Sequence, residues 1–245
     1  MAIYALSDFH LYLSMKDKPM DIFGNEWDNH MEKLRLGCQS LKESDVLLIP
    51  GDISWAMYLD EAFEDLKFIE EIPCKKIISK GNHDYWWTSH KKLKEYLDKC
   101  GFATISFLHN NFFAYGDIAL CGNKGYFYTG LENTHDRQLY ERELIRMELS
   151  LKEAELLGYK RKVFQTHYPP SVDGINPDAR ISEILKKYGV EKCVYGHIHG
   201  RTQKNHFEGN FEGIEYIFVS CEYLGFKPKL VLKQQEEELW TEEKK

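Results

Sequence analysis

Short apolar runs along this chain end, one after another, in polar clusters rich in Asp, Asn and His. The run at 3–6 ends in Ser7-Asp8-Phe9-His10, and the run at 46–49 in Pro50-Gly51-Asp52. Ile77-Ile78 leads to Gly81-Asn82-His83-Asp84, Val163-Phe164 to Thr166-His167, and the run at 193–195 to Gly196-His197-Ile198-His199. Runs this short, bounded by Gly, Pro and Asp, read as buried strands. Between several of them the period changes. At 29–42, Met31, Leu34, Cys38 and Leu41 recur at spacings of three and four, which places them on one helical face. Segments 60–70 and 89–99 read as helices in the same way. Segment 102–125 is strand-rich, with a turn at Tyr115-Gly116-Asp117, and 133–157 is a long, highly charged helix. Strands at 214–219 and 229–232 follow. This alternation predicts an α/β layered fold. No repeat or low-complexity linker divides the chain. A single domain over 1–245 is expected, with 126–160 a candidate lid-like insertion and the final QQEEELWTEEKK a solvated tail.

Composition changes this picture little. A chain of 245 residues buries roughly 70–75% of its unfolded surface, so it needs no disulfide staple. Its 43% hydrophobic and 29% charged residues are ordinary for a globular protein. The net charge of -7 argues against a protein that coats nucleic acid, because such binding rests on neutralising phosphates. The six cysteines are scattered singly without a CxxC pair, as expected of free thiols in a reducing compartment. The start, MAIYALSDFH, lacks the basic and apolar regions of a signal peptide, and no apolar run approaches the roughly 20 residues of a membrane span. A cytoplasmic protein is the expectation.

The polar clusters carry the chemistry. Ligands of open α/β sheets bind beyond the carboxyl ends of the strands. If the runs pair in one parallel sheet, Asp8, His10, Asp52, Asn82, His83, Asp84, His167, His197 and His199 converge on one rim. Carboxylate, amide and imidazole donors without thiolate suit divalent Mn, Fe or Zn. Seven candidate ligands exceed one tetrahedral site and fit two metals about 3.5–4 Å apart sharing a carboxylate. An isolated DxH, or Gly-Asp after a strand, is a common turn; five ordered clusters on one chain are not. His30, His90, His109, His135 and His206 have no such context and read as ordinary histidines.

The ordered set DFH, GD, GNHD, TH and GHIH resembles the calcineurin-like metallophosphoesterase superfamily. WDNH at 27–30 and GNHDYWW also resemble a bacterial subgroup of largely uncharacterised phosphohydrolases. The resemblance implies a four-layer α-β-β-α sandwich of two packed mixed sheets flanked by helices. It implies two divalent metal ions. Asp8, His10 and His199 match the ligands of one, Asn82, His167 and His197 those of the other, and Asp52 the carboxylate that bridges both. A bridging hydroxide would attack phosphorus in line with the leaving group. His83 matches the general acid, and Asp84 the acidic residue that holds it. Tyr85, Trp86 and Trp87 read as core packing under the loop, with stacking on an aromatic leaving group as the sharper alternative.

The implied substrate is a small phosphorylated molecule, monoester or diester, with no membrane partner. Arg137 or Arg142 could grip phosphate oxygens through a bidentate fork, against the plainer reading of a solvated helix with ion pairs. Asn123 and Lys124, after a strand end, are candidate rim residues, and Trp55 a candidate pocket wall. Two alternatives stand beside the phosphoesterase: a non-catalytic scaffold of the same fold, and a nuclease, which the acidic charge disfavours. The sequence sets no oligomeric state.

Overall fold

The computed structural model describes residues 1–15, 20–127, 129 and 133–233. The tail QQEEELWTEEKK lies outside them. Two sheets pack face to face. The first has the order β11-β1-β2-β3-β4, built from β1 (Ala2–Ala5), β2 (Val46–Pro50), β3 (Lys75–Ser79), β4 (Ile105–Phe107) and β11 (Lys229–Lys233). The second has the order β5-β6-β7-β8-β10-β9, from β5 (Phe112–Tyr115), β6 (Ile118–Asn123), β7 (Arg161–Thr166), β8 (Val190–Tyr195), β9 (Gly209–Phe211) and β10 (Ile214–Phe218). The inner strands of both sheets run parallel; β11, β5 and β9 are antiparallel edges.

Each inner strand is buried on both faces, which is why it reads as a continuous apolar run. Alternate side chains divide between two cores. Ile3, Ala5, Val46, Leu48 and Ile77 meet Ile118, Leu120, Val163, Val194 and Ile217 between the sheets. Leu6, Leu47, Ile49 and Ile78 point outward under α1 (His30–Cys38), α2 (Phe63–Glu70) and α3 (His90–Cys100). On the far side Cys121, Phe164, Cys193 and Tyr216 lie under α4 (Thr134–Leu156) and α5 (Ala179–Lys187). The result is a four-layer α-β-β-α sandwich.

The single parallel sheet expected from the apolar runs is therefore two. Run length and period do not specify which strand pairs with which. The clusters still converge, because the sheets are stitched together at their carboxyl ends. Ser7 bridges Ser220 beyond β10, with Ser7 N–H donating to Val219 O at 2.8 Å and Cys221 N–H to Ser7 O at 3.0 Å. Helix ends follow local chemistry. The Ser89 hydroxyl caps α3, and Gly101 in the left-handed region ends it. The Asn133 and Asp178 side chains cap α4 and α5. The first helix is shorter than the segment 29–42, and a 3-10 turn at Leu59–Ala62 precedes α2. Helix α5 and strand β9 were not anticipated.

Within segment 126–160, α4 lays Tyr140, Leu144, Met147 and Leu151 onto the second sheet's outer core; residues 128 and 130–132 are outside the described set. Trp86 and Trp87 are buried in the core of the first sheet's helical side, as packing required, while Tyr85 is exposed. Among the described residues no helix is long and apolar enough to cross a membrane.

Candidate metal centre

Every predicted ligand lies just past the carboxyl end of a strand: Asp8 and His10 after β1, Asp52 after β2, Asn82 after β3, His167 after β7, His197 and His199 after β8. Four of these, Asp8, His10, Asp52 and His197, adopt positive φ, out of eight non-glycine residues that do so among the described ones. Such backbone is costly for residues with a Cβ and persists where surrounding structure fixes it. Here the loops hold one another. The Asp8 amide donates to Gly51 O at 3.1 Å and the His10 amide to Asp52 O at 3.0 Å. The His83 amide donates to Asp52 Oδ1 at 2.8 Å. The fit is close enough that a Cβ on Gly81 would run into the Asp52 carboxylate, and one on Gly196 into Ser7 and Asp8.

Asp84 organises this knot. It is wholly buried, and its carboxylate accepts from five N–H groups. Oδ1 takes those of Ile53 (2.8 Å), Ser54 (3.3 Å) and the Trp86 indole (3.1 Å), and Oδ2 those of Asp52 (3.0 Å) and Gly81 (2.7 Å). The Asp84 carboxylate ties the Asp52 loop to the Asn82-His83 loop and so fixes the backbone that carries His83.

The donor atoms gather in two overlapping clusters. Ligand atoms of Asp8, His10, Asp52 and His199 lie within 4.8 Å of one another, and so do those of Asp52, His167 and His197. Asp52 belongs to both. Asn82 Oδ1 adjoins the second cluster, 2.6 Å from His167 Nε2 and 2.8 Å from His197 Nδ1. Divalent cations fit this arrangement. His167 Nδ1 lies 3.0 Å from the Pro50 carbonyl, which requires the ring proton there. Its Nε2 therefore offers a lone pair, and it faces the Asn82 oxygen and, at 3.1 Å, His197 Nδ1. In the other cluster His10 Nε2 and His199 Nε2 are 3.1 Å apart. The His167 Nε2 lone pair and the Asn82 oxygen repel one another unless a cation lies between them.

Charge follows burial and neighbours. Burial pushes the Asp8 carboxyl up, but His199, His167 and His10 together bring it well below its usual range. Asp52 goes the other way, pushed up to about 8 by burial and by the charge of Asp8. Burial holds His10 and His167 below the usual imidazole value, and His197 down to about 3. Burial also opposes charge on His199, yet Asp8 outweighs it and raises the ring to about 10. Neutral histidines are the form that binds metal, which His10, His167 and His197 already have and which His199 reaches by giving up its proton.

Three cavities surround the centre. One of about 320 Å³ is lined by His10, His83 and His199 together with Met20, Trp27 and Trp55. Its wall is aromatic: Trp55 stacks on His10 at 5.1 Å and lies 4.6 Å from the His83 ring. Trp55, a candidate wall residue, lines this cavity. A second, of about 310 Å³, opens past His197 and His199 toward Phe127 and Val172. A third, of about 360 Å³, holds Arg142, Asn123 and Lys124. Arg137 is exposed near the start of α4 and lines none of the three. Asn123 is buried, its amide donating to Glu143 O at 2.9 Å, so it braces α4 rather than standing open on the rim.

Sequence reasoning missed Glu222, whose Oε2 lies 3.5 Å from His199 Nδ1 and accepts from the Gly200 amide. The signal was present: the strand at 214–218 ends in Val219-Ser220-Cys221-Glu222, another apolar run closing on a polar residue. Trp27, Met20 and Lys80 were also missed as cavity residues.

A sequence model of the calcineurin-like phosphoesterases matches residues 1–201. No curated protein matches the chain. Among solved structures, a phosphopantetheinyl hydrolase from Mycobacterium tuberculosis is similar, with 14% identity over 95% of this chain and 96% of that one, at a TM-score of 0.59. A protein of Thermus thermophilus is similar at 13% identity over 94% and 97%, with a TM-score of 0.55. At these identities the likeness shows the shared fold. The family match over four-fifths of the sequence, on the same loops that gather the donors, shows more: this chain belongs to the calcineurin-like phosphoesterases, metal-dependent hydrolases of phosphoester bonds.

Proposed function

We propose that the two clusters form one dinuclear site, that a small phosphorylated substrate is hydrolysed there, and that His83 is the general acid. The observation that carries this reading is the membership of Asp52 in both clusters. Two divalent cations (Mn, Fe or Zn by the donor set) supply, when bound, an acidified water nucleophile and neutralisation of phosphoryl charge. Asp8, His10 and His199 hold one, Asn82, His167 and His197 the other, and Asp52 serves both. The interlocked positive-φ loops keep these donors aimed before any cation arrives.

The leaving group lies on the His83 side. His83 forms part of the wall of the aromatic cleft, beside His10 and Trp55. A proton given from its ring to the departing oxygen is worth about 10²–10⁴-fold for a poor leaving group. Asp84 positions His83 by fixing the loop that carries it. Trp55, against both His10 and His83, keeps their separation. The cleft matches the lower end of small-molecule sites in size, roughly 300–1,000 Å³.

Hydrolysis of p-nitrophenyl phosphate and bis-p-nitrophenyl phosphate by chelated and manganese-reconstituted protein tests the reading. Chelation abolishes turnover and manganese restores it, with the preferred ester separating monoesterase from diesterase. Turnover that survives complete chelation would contradict it.

A further inference from the structure

The third cavity contains none of the predicted metal ligands, and its walls are cationic. Lys80 stands at the end of β3, Lys124 just past β6, and Arg142 and Arg146 on α4. A single carboxylate, Glu143, faces these four cations, in a chain whose net charge is -7. Glu143 is buried and already committed. Its Oε1 lies 2.7 Å from Arg146 Nη1 and 3.6 Å from Arg142 Nε, and its Oε2 accepts from Asn123 at 3.3 Å. It fixes the two guanidinium groups, and one carboxylate among four cations leaves the cavity wall with excess positive charge. Neither Lys80 nor Lys124 has a carboxylate partner among the described residues; Lys124 lies over the Tyr168 ring at 5.4 Å. Asn123, 5% exposed in the same wall, leaves its Oδ1 without a protein partner.

Clustered cations that outnumber their counter-ions repel one another, and an anion that enters relieves that repulsion. Two arginine forks and two lysines match the oxygens of a phosphoryl group. A compact cavity of about 360 Å³ takes one or two such groups and is not the extended stripe that tracks a nucleic-acid backbone. We propose that this cavity is a second oxyanion site, for a phosphate or pyrophosphate group, separate from the metal centre. The two share their loops. Lys80 is two residues ahead of Asn82, and the Lys124 carbonyl accepts the amides of His167 at 3.1 Å and Tyr168 at 3.0 Å. The anion is either the far end of a doubly phosphorylated substrate, which rests on the proposed hydrolysis, or a separate phosphate, which does not.

Calorimetry with inorganic pyrophosphate on chelated protein tests the site without turnover or metal. One equivalent binds. The double variant Lys80→Ala/Lys124→Ala weakens it about 100-fold, the loss expected for two charge-assisted hydrogen bonds. Arg142→Ala, at a half-exposed position whose loss leaves the core intact, weakens it about tenfold. Affinity unchanged in both variants would overturn the site, and so would failure of the wild-type chelated protein to bind pyrophosphate at millimolar concentration. The source is read on manganese-loaded protein. If the far end of the substrate occupies the cavity, the double variant raises KM for an alkyl bisphosphate much more than for the matching monophosphate. If a separate phosphate does, both KM values move together.

Discussion

The two halves of the metal centre are built from unlike donors. The proposed Asp8 half has Asp8, His10 and His199 beside the shared Asp52, so two carboxylates would face a cation there. The proposed Asn82 half has an amide oxygen and two imidazoles, and among the described residues Asp52 is its only carboxylate. Support differs too. His199 is braced by Glu222 at the aromatic cleft, whereas His167 is wholly buried and locked by the Pro50 carbonyl. Attraction for a dication grows with the negative charge placed around it. The Asp8 half should therefore fill first and hold its ion more tightly. The Asn82 half gains its hold from Asp52 and from rigidity.

Asp52→Asn breaks both halves at once and gives the largest effect. Activity on bis-p-nitrophenyl phosphate falls by more than the roughly 10–100-fold that loss of an outer-shell partner costs; wild-type rates in the variant would remove Asp52 from the shared position. His83→Asn comes next and leaves both halves filled. Turnover of an alkyl phosphoester drops about 10²–10⁴-fold, and that of a nitrophenyl ester much less. Equal losses on the two substrates would rule out proton donation. Glu222→Gln sharpens the comparison, because it touches the Asp8 half alone. First-ion affinity in a manganese titration weakens about 10–100-fold while the second step is little changed. Equal weakening of both steps would show that the halves are not distinct.

The smallest effect is in protons. Asp52, pushed up to about 8 in the metal-free protein by burial and by Asp8, is mostly protonated at pH 7 and must ionise to bind metal. His199, raised to about 10 by Asp8, must lose its proton as well, so metal uptake at pH 7 releases about two protons and affinity rises with pH through about 8 and on to about 10. Calorimetry in buffers of different ionisation enthalpy measures this release; uptake without it would mean that Asp52 is already ionised and His199 already neutral.

Much of the centre was legible because ligands must sit where strands stop. Asp8, His10, Asp52, Asn82, His167, His197 and His199 each follow an apolar run, and the structure gathers all seven. Their partition between two sheets came from the family resemblance and not from the apolar runs, since a strand buried on both faces gives no sign of its neighbours. The work of Asp84 was hidden for a related reason: its five N–H partners come from two loops about thirty residues apart in sequence. The cationic cavity is the extreme case. Lys124 and Arg142 end up together through the packing of α4 against β6, and Lys80 joins them from the end of β3 in the other sheet, which no local spacing encodes.

The most direct test of the shared carboxylate is electron paramagnetic resonance of the protein loaded with two equivalents of manganese. Two ions bridged through Asp52 give an exchange-coupled spectrum, and Asp52→Asn loses the coupling. Two bound ions that show only the signal of isolated manganese in the wild-type protein would contradict a dinuclear centre built on Asp52.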